Sequence, residues 1–235
     1  SNIFKKYNFE AVFHFAGLKS IVDSIENPII YYNNNIIGTI CLLSAMEDAS
    51  VNKFIFSSSA TVYGNKLIPP WNEGMEIQMP SNPYAQTKFI IECILCNLVK
   101  KNKEFSIGTL RYFNPIGAHE SGIIGENIKN SSNLIPSILN SLSNDYAIKI
   151  YGNDYDTPDG TAIRDYIHVN DLIKGHLKAF QYINKKKGYN VWNLGSGTGY
   201  SVKQVIQMFE KLLNKKFNIK YLQRRVGDLP QYWAD

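Results

Sequence analysis

A run of serines, a tyrosine and a lysine lie close enough in this sequence to form a site for proton transfer. Ser57, Ser58 and Ser59 end a short apolar run, and Tyr84 and Lys88 follow after a polar loop. A free phenol has a pKa of about 10, and a neighbouring ammonium lowers that value. A serine hydroxyl beside the pair could hold a substrate hydroxyl while the tyrosine accepts its proton. These residue types therefore predict proton abstraction from an alcohol.

The elements predicted around these residues bring them together. The apolar run at residues 53–56 predicts a buried parallel strand that carries the serines at its carboxyl end. Ser81 and Asn82 are good helix caps, and Pro83 suits the first helical position because its missing N–H costs nothing there. Tyr84 and Lys88 are four residues apart, so they lie on one face of the helix that follows.

The spacing Tyr-x-x-x-Lys is weak evidence by itself, because Tyr182 and Lys186 repeat it. That second copy ends in a lysine run before Gly188 and follows no hydroxyl-tipped strand, so we interpret it as chance. The first copy could also be an ordinary amphipathic helix start. The serines upstream favour the chemical interpretation.

A glycine-rich segment, Gly195-Ser196-Gly197-Thr198-Gly199, resembles a dinucleotide fingerprint only superficially. Its glycine spacing differs from G-x-G-x-x-G, and no acidic residue ends a strand about 20 residues further on. The segment predicts a flexible turn.

Composition bounds the class of protein. The chain has 235 residues, of which 44% are hydrophobic and 19% charged, as in ordinary globular proteins with one large or two modest domains. The net charge of +5 is thinly spread, so we expect no nucleic-acid partner. No apolar run reaches membrane-spanning length. The cysteines and histidines show neither disulfide-framework nor metal spacing, which favours a reducing, cytoplasmic setting and no metal.

Strands and helices alternate along the chain, which predicts a parallel sheet with right-handed crossovers. Predicted strands lie at residues 11–17, 53–57, 105–111, 147–151, 191–194 and 217–221, and predicted helices near 18–26, 28–46, 134–142, 171–183 and 201–213, besides the one that begins near Tyr84. Beyond Asn114 the chain becomes rich in glycine and asparagine up to Asn133. We therefore place a domain division near Asn114.

Several segments, in order along essentially the whole chain, closely resemble the UDP-glucose 4-epimerase family of extended short-chain dehydrogenases/reductases. They are His14-Phe15-Ala16-Gly17-Leu18-Lys19, Ser57-Ser58-Ser59-Ala60-Thr61-Val62-Tyr63-Gly64, Tyr84-x-x-x-Lys88, the run from Leu110 to His119, Arg164-Asp165-Tyr166-Ile167-His168-Val169 and the run from Gly227 to Asp235.

The resemblance implies an α/β protein in two parts. Residues 1–114 would form a Rossmann-like, doubly wound parallel sheet that binds NAD and is incomplete on its N-terminal side. Residues 115–235 would form a smaller α/β domain that binds a UDP-sugar, with residues near 164–183 packing back on the first sheet. The family also implies a cytoplasmic homodimer with no membrane or nucleic-acid partner.

The resemblance implies a reversible inversion at C4 of UDP-galactose and UDP-glucose with tightly held NAD. Tyr84 would take the proton of the 4-hydroxyl while hydride passes to the nicotinamide, and hydride would return to the other face of the 4-ketose. Lys88 would hold the cofactor ribose and lower the pKa of Tyr84. Ser59 would hydrogen-bond the C4 oxygen.

Other positions correspond to binding positions of the family. The NAD contacts would be Gly17, Lys19, Asn34, Ser57, Tyr84, Lys88, Tyr112 and Phe113. The UDP-sugar contacts would be Ser59, Asn114, Asn133, Leu134, Arg164, Tyr166, Arg225, Asp228 and Tyr232.

Arginine side chains suit a diphosphate, although Arg164 could instead pair with Asp165 or Asp171, and Arg225 could cap a loop. Asp228 and Asn114 could be turn residues. Tyr232 resembles members with a narrow pocket, which favours unmodified hexoses.

The sequence departs from the family at its ends. It lacks the first strand, the glycine-rich phosphate loop and the acidic residue for the adenosine ribose, and it stops before the closing helices. We expect a part of a longer protein, with a truncated relative or a nucleotide-sugar-binding fragment without activity as alternatives. A 4-epimerase of N-acetylated or uronic sugars also stays open. A 4,6-dehydratase is disfavoured because Ala60 and Thr61 replace its acid and base pair.

Overall fold

The computed structural model describes residues 2–64, 68–128, 131, 133–144 and 146–235. Of the loop predicted between Gly117 and Asn133, residues 129, 130 and 132 lie outside the described part. The described chain forms two compact units. The first comprises residues 1–67, 72–112 and 173–194, and the second comprises residues 68–71, 113–172 and 195–235.

One boundary lies between Tyr112 and Phe113, next to the division predicted at Asn114. Residues 173–194 return to the first unit, and the sequence-based prediction has residues near 164–183 packing back on the first sheet. The assignment of one half to the cofactor and the other to the substrate stays a prediction.

The six strands that the sequence predicts are present, and four strands that it does not predict accompany them in the described part of the chain. The strands are β1 (Val12–His14), β2 (Lys53–Ser59), β3 (Ser106–Tyr112), β4 (Asn114–Ile116), β5 (Ile148–Tyr151), β6 (Ile163–His168), β7 (Gly188–Leu194), β8 (Gly199–Ser201), β9 (Ile219–Leu222) and β10 (Gln231–Tyr232). The helices are α1 (Asn2–Lys6), α2 (Ile21–Glu26), α3 (Pro28–Tyr31), α4 (Gly38–Asp48), α5 (Pro83–Lys101), α6 (Leu134–Asn144), α7 (Val169–Ile183) and α8 (Val202–Leu213).

Two short segments have tighter or wider helical turns. A π-helical segment, Tyr32–Ile37, joins α3 to α4, and a 3₁₀ turn, Ala60–Tyr63, follows β2. The single helix predicted over residues 28–46 is therefore interrupted in its middle. The π-helical turn includes the run Asn33-Asn34-Asn35 and turns Asn35 inward, where it is 3% exposed.

The first unit is built on a parallel sheet with the order β1-β2-β3-β7. Strand β2 is covered on both faces because its side chains alternate. Phe54 and Phe56 belong to the cluster that contains Ile91 and Leu95 of α5. Ile55 points to the opposite cluster, which includes Ala179 and Ile183 of α7. A buried parallel strand between two helical layers is the Rossmann-like arrangement that the sequence predicts.

The second unit contains two smaller sheets. Strands β10, β6 and β4 pair in parallel, and β8 pairs with β6 antiparallel. Strands β5 and β9 form a separate parallel pair. Ile148 and Ile150 of β5 pack with Val205 and Ile206 of α8. A capping box formed by Ser201 and Gln204 begins α8.

The turn of residues 195–199 encloses the carboxylate of Asp165, which is completely buried. The backbone N–H groups of Ser196, Gly197 and Ala234 donate to its oxygens at 2.6, 3.0 and 3.1 Å. A Cβ on Gly195 would lie 2.4 Å from Asp165 Oδ2, so no larger residue fits there. The glycines therefore allow the turn to close around the buried carboxylate of Asp165, and this structural role accounts for them without a bound dinucleotide.

Candidate active site

The serines at the end of β2 make different contacts. The Ser57 and Tyr112 hydroxyls lie 2.6 Å apart, and Ser58 Oγ donates to Glu92 Oε1 at 2.5 Å. Ser59 Oγ accepts from the Thr61 N–H at 3.3 Å and from Thr61 Oγ1 at 3.0 Å. Because Ser59 accepts in both contacts, its own hydroxyl proton can be donated to another oxygen.

Helix α5 begins as the sequence predicts. Asn82 Oδ1 accepts from the Ala85 N–H at 2.9 Å, and Pro83 occupies the first helical position. This start places the half-buried Tyr84 one helical turn before the buried Lys88, on the same face of α5.

Lys88 joins α5 to the end of β2. Its Nζ donates to the Ser57 carbonyl oxygen at 2.7 Å and lies 4.8 Å from the centre of the Phe56 ring. The side chain is only 6% exposed. Burial lowers the pKa of Lys88 to about 8, against the opposing charge of Glu92. The first unit thus holds the Lys88 ammonium against the carboxyl end of the strand that carries the predicted serines.

The backbone at Gly17 approaches this ammonium closely. A Cβ at Gly17 would lie 3.6 Å from Lys88 Nζ and 3.3 Å from Asn35 Oδ1. Asn35 holds the next residue, since its Oδ1 accepts from the Leu18 N–H at 2.8 Å and its Nδ2 donates to the Leu18 carbonyl at 3.0 Å. Asn35 is a positioning residue that sequence analysis missed. Its signal was an asparagine run inside an otherwise apolar helix.

The predicted cofactor residues Asn34 and Lys19 are both exposed. Asn34 Nδ2 donates to Asn35 Oδ1 at 2.9 Å, next to the buried amide. The structure therefore places Asn34 on the outer side of the same π-helical turn that fixes Gly17 and Leu18.

A second residue missed from the sequence, His176 of α7, lies behind Tyr112. Its Nε2 hydrogen-bonds the Tyr112 hydroxyl, which also contacts Ser57 Oγ. His176 is 2% exposed. Burial raises the pKa of Tyr112, so this phenol stays neutral and fixes the end of β2.

His14 lies on β1 and is a neutral donor. Thr39 Oγ1 donates to the Asn35 carbonyl at 2.6 Å, so in its 2.9 Å contact with His14 Nε2 the imidazole N–H donates. Burial, and then the charge of Lys88, lower the pKa of His14 to about 4.

In the second unit, strand pairing brings four of the predicted substrate residues together. Asn114 of β4 is opposite Tyr166 of β6, and Tyr232 of β10 is opposite Arg164 of β6. The Arg164 guanidinium lies 4.5 Å from the centre of the Tyr232 ring. The alternative that Arg164 pairs with Asp165 is not realised, because backbone N–H groups bind Asp165.

A polar atom of this β-sheet is fully buried. Asn114 Oδ1 is a buried oxygen for which the described residues provide no hydrogen-bond donor. Burial raises the pKa of Tyr166 to about 12. A buried oxygen without a donor is costly unless a ligand or water supplies one, so Asn114 fits a binding role.

Arg225 and Asp228 pair with each other in the second unit, with Arg225 Nε 2.9 Å from Asp228 Oδ2. The Arg225 guanidinium also lies 4.7 Å from the centre of the Tyr151 ring. Tyr151 is an aromatic residue at this position that sequence analysis did not single out. The pair keeps a guanidinium fork oriented without burying it.

The remaining predicted residues have their own surroundings. Phe113 packs on Trp71 and Tyr232 in the second unit, with ring centres 6.3 and 6.0 Å apart. Asn133 is exposed and its Nδ2 donates to Glu126 Oε1 at 2.7 Å. Leu134 begins α6 and packs against the cluster of β5 and α8.

The described residues offer neither a metal-binding cluster nor a membrane-spanning helix. No group of three or more His, Cys, Asp or Glu side chains there could hold a metal ion. No helix among them is both long and apolar enough to cross a membrane.

The fold and the first-unit site together define a class of protein. A parallel sheet between helical layers, a serine at the end of a central strand, and Tyr-x-x-x-Lys on the helix beside it are the features of a short-chain dehydrogenase/reductase. Comparison with known proteins narrows this class. The NAD dependent epimerase/dehydratase family matches residues 1–195, and the chain belongs to this family.

Relatives that match the chain along its whole length include UDP-glucose 4-epimerases. The Yersinia pestis enzyme is 45% identical over 100% of this chain and 70% of its own length. The human enzyme is 46% identical over 99% of this chain and 68% of its own. The structure of the Bifidobacterium longum enzyme, in complex with NAD+ and UDP, covers 100% of this chain and 70% of its own, with 43% identity and a TM-score of 0.94. The chain thus spans about 70% of the length of such relatives.

Proposed function

We propose that this protein catalyses the NAD-dependent interconversion of UDP-galactose and UDP-glucose by inversion at C4. The observation that carries the proposal is the buried Lys88 ammonium, which is bound to the end of β2 beside Ser59 and one helical turn from Tyr84. Relatives with this activity share 45% or more of the sequence over nearly the whole chain.

Tyr84 is the proposed base and later the acid at the 4-hydroxyl of the sugar. The positive charge of Lys88 favours the phenolate form of Tyr84 and so makes proton transfer possible near neutral pH. Ser59 donates its free hydroxyl proton to the C4 oxygen and fixes its position. NAD, when bound, supplies the transient oxidation of C4 to a ketone and its reduction.

The described residues fit NAD in two respects. The ammonium of Lys88 has donors to spare for ribose hydroxyls, because its hydrogen bond among described residues is to Ser57 alone. Gly17 leaves open the space that a Cβ would fill beside Lys88 and Asn35. The other proposed NAD contacts are Lys19, Asn34, Ser57, Tyr84, Tyr112 and Phe113.

We assign the UDP-sugar to residues that lie mainly in the second unit. Arg164 and Arg225 are proposed to bind the diphosphate, since both guanidinium groups are held by stacking on tyrosine rings. Asn114 would use its buried, donor-free oxygen. The other proposed contacts are Ser59, Asn133, Leu134, Tyr166, Asp228 and Tyr232.

Replacing Tyr84 by Phe tests the reaction. We expect kcat for UDP-galactose, measured with added NAD, to fall by about 100-fold or more, because general acid–base catalysis is lost. Tyr182→Phe is the matched control, since Tyr182 begins the second Tyr-x-x-x-Lys pattern and should leave kcat unchanged. Equal rates in the two variants would contradict the proposal.

A binding experiment tests the alternative that the chain is a nucleotide-sugar-binding fragment without activity. Titration of the chain with NAD and with UDP-galactose should show binding of both. Binding of UDP-galactose without NAD would instead favour a nucleotide-sugar-binding fragment.

We further propose a cytoplasmic homodimer. Exposed apolar side chains along the helical stretch 28–48, including Ile29 at 68% and Ile37 at 51%, are suited to burial against another surface. The three cysteines are unpaired, as expected in a reducing compartment. Light scattering should give twice the mass of the chain, and a monomer mass at micromolar concentration would contradict the dimer.

A further inference from the structure

Helix α5 is attached to the end of β2 at two successive turns. Lys88 Nζ donates to the carbonyl of Ser57 at 2.7 Å, and four residues later Glu92 Oε1 accepts from Ser58 Oγ at 2.5 Å. Tyr84, Lys88 and Glu92 are spaced at i, i+4 and i+8, so they share one face of α5. Glu92 therefore lies in line with the two residues assigned to proton transfer.

Glu92 is fixed by a buried arginine from β3. Arg111 donates to it twice, from Nε to Oε1 at 3.2 Å and from Nη2 to Oε2 at 2.7 Å. Both side chains are 5% exposed. Arg111 is itself held by Tyr63, whose hydroxyl accepts from Nη1 at 2.9 Å. A two-point guanidinium–carboxylate contact of this kind holds the acid in one orientation.

The charged groups around Lys88 indicate the role of the Glu92 carboxylate. The titratable and charged side chains around Lys88 and Glu92 are His14 on β1, Arg111 and Tyr112 on β3, Tyr189 on β7 and Tyr84 on α5. His14 is neutral because its pKa is lowered to about 4, and Tyr112 and Tyr189 are neutral because burial raises their pKa values. Arg111 is the cation paired with Glu92, and Glu92 is the acid whose charge opposes the effect of burial on the pKa of Lys88.

We propose that Glu92, oriented by Arg111, is a positioning residue that keeps the buried Lys88 ammonium charged and in place at the end of β2. A buried ammonium without an anion would lose its proton, since desolvation disfavours its charged form. The effect of Glu92 on catalysis rests on the proposed function, in which the charged Lys88 stabilises the phenolate of Tyr84. The opposing effect of Glu92 on the pKa of Lys88 agrees with this role.

The test measures the pKa of Lys88 directly, in the chain without ligands. Chain labelled with ¹³C-lysine is titrated by NMR, and the Lys88 signal is assigned by its absence in Lys88→Met. In Glu92→Gln we expect the pKa of Lys88 to fall by about one unit, a tenfold loss of proton affinity. A purely structural role predicts the opposite sign, because a loosened site admits water and the pKa then rises toward its ordinary value.

Two further variants keep the result decisive. Glu92→Gln leaves Arg111 buried without a partner, so the double variant Glu92→Gln/Arg111→Met removes both charges and should fold if the single variant does not. It should lower the pKa of Lys88 by less than Glu92→Gln does, because the nearby Arg111 cation is removed as well. Leu95→Ala, one turn further along α5, destabilises the same helix and should leave the Lys88 pKa unchanged.

An unchanged or raised Lys88 pKa in the folded Glu92 variants would overturn the proposal. The measurement needs neither NAD nor UDP-galactose. Failure of the epimerase assignment and failure of this inference are therefore separate outcomes.

Discussion

At the scale of single residues, the first unit keeps a cation where its burial is unfavourable. Lys88 is 6% exposed and is bound by a neutral carbonyl and an aromatic face, with Glu92 as the opposing charge. Strained or costly groups are typical of functional sites. The cost is measurable as a dependence of stability on pH.

Lys88→Met should therefore stabilise the folded chain near pH 7. The pKa of Lys88 falls from 10.5 to about 8 on folding. Between these two values the unfolded chain takes up a proton and the folded chain does not, so stability declines as the pH falls through this window. Below pH 8 the penalty is complete, at roughly 3 kcal/mol by linkage, less about 1 kcal/mol for the lost hydrogen bond.

Urea unfolding of Lys88→Met and of the parent chain checks this prediction. The variant should be more stable at pH 7, and the advantage should shrink as the pH approaches 10.5. Lower stability of the variant at both pH values would contradict it.

Tyr232 is the residue at which substrate choice is expected to depend on size. Its ring stacks on Trp71, with ring centres 5.3 Å apart, and the Arg164 guanidinium lies 4.5 Å from the centre of the same ring. Tyr232→Gly should raise turnover of UDP-N-acetylgalactosamine relative to UDP-galactose by about tenfold or more, because a pocket wall is removed.

Competition assays with the two sugars give this ratio. Tyr232→Phe keeps the volume of the ring and is the matched control, for which the parent ratio should persist. A parent-like ratio in Tyr232→Gly would show that Tyr232 does not limit the size of the sugar.

At the scale of elements, the π-helical turn places one of two neighbouring asparagines inside the protein and the other on its surface. Asn35 is buried and makes hydrogen bonds to Leu18 and to Thr87 Oγ1, whereas Asn34 is exposed beside it. A regular α-helix would place these side chains about 100° apart without the extra residue of the π turn. The turn thus brings Asn35 to the loop after β1.

The two asparagines should give opposite phenotypes on substitution by Ala. Asn35→Ala leaves the half-buried N–H and carbonyl of Leu18 without their partners and should lower the free energy of unfolding by about 1–3 kcal/mol. Asn34→Ala should change stability by less than about 1 kcal/mol but weaken NAD binding.

Denaturant unfolding and NAD titration of both variants separate the two effects. Equal loss of stability in the two variants would contradict the roles given to the π-helical turn.

At the scale of the whole molecule, the chain passes between its two units repeatedly. The first unit takes up residues 173–194, which supply most of α7 and all of β7. Ala179 and Ile183 of that segment belong to the core cluster of Ile55 and Leu110. The units are therefore not separable by one cut of the chain.

A chain of residues 115–235 alone should accordingly unfold without cooperativity. It would expose the apolar faces of α7 and β7, which pack in the first unit, and exposed apolar surface favours aggregation. Replacing residues 173–194 in that chain by a short Gly/Ser linker should improve its solubility. Calorimetry and light scattering of both chains check this, and a sharp transition in the uninterrupted segment would contradict it.

Local sequence determined much of this protein. The cap at Asn82 and Pro83 fixes where α5 begins, and spacing alone then places Tyr84 and Lys88 on one face. The continuous apolar run of β2 predicts burial on both faces, and its serines mark the carboxyl end. These features depend on backbone geometry within a few residues, so the sequence reveals them directly.

Only the tertiary structure decided which polar residues support the site. Glu92, Arg111, Asn35 and His176 read as ordinary helix and strand residues, because their partners lie between 17 and 64 positions away in the chain. The same holds for the glycines near residue 197, whose partner is the distant carboxylate of Asp165. Burial makes such contacts strong, and burial is set by how the whole chain packs rather than by any single stretch of it.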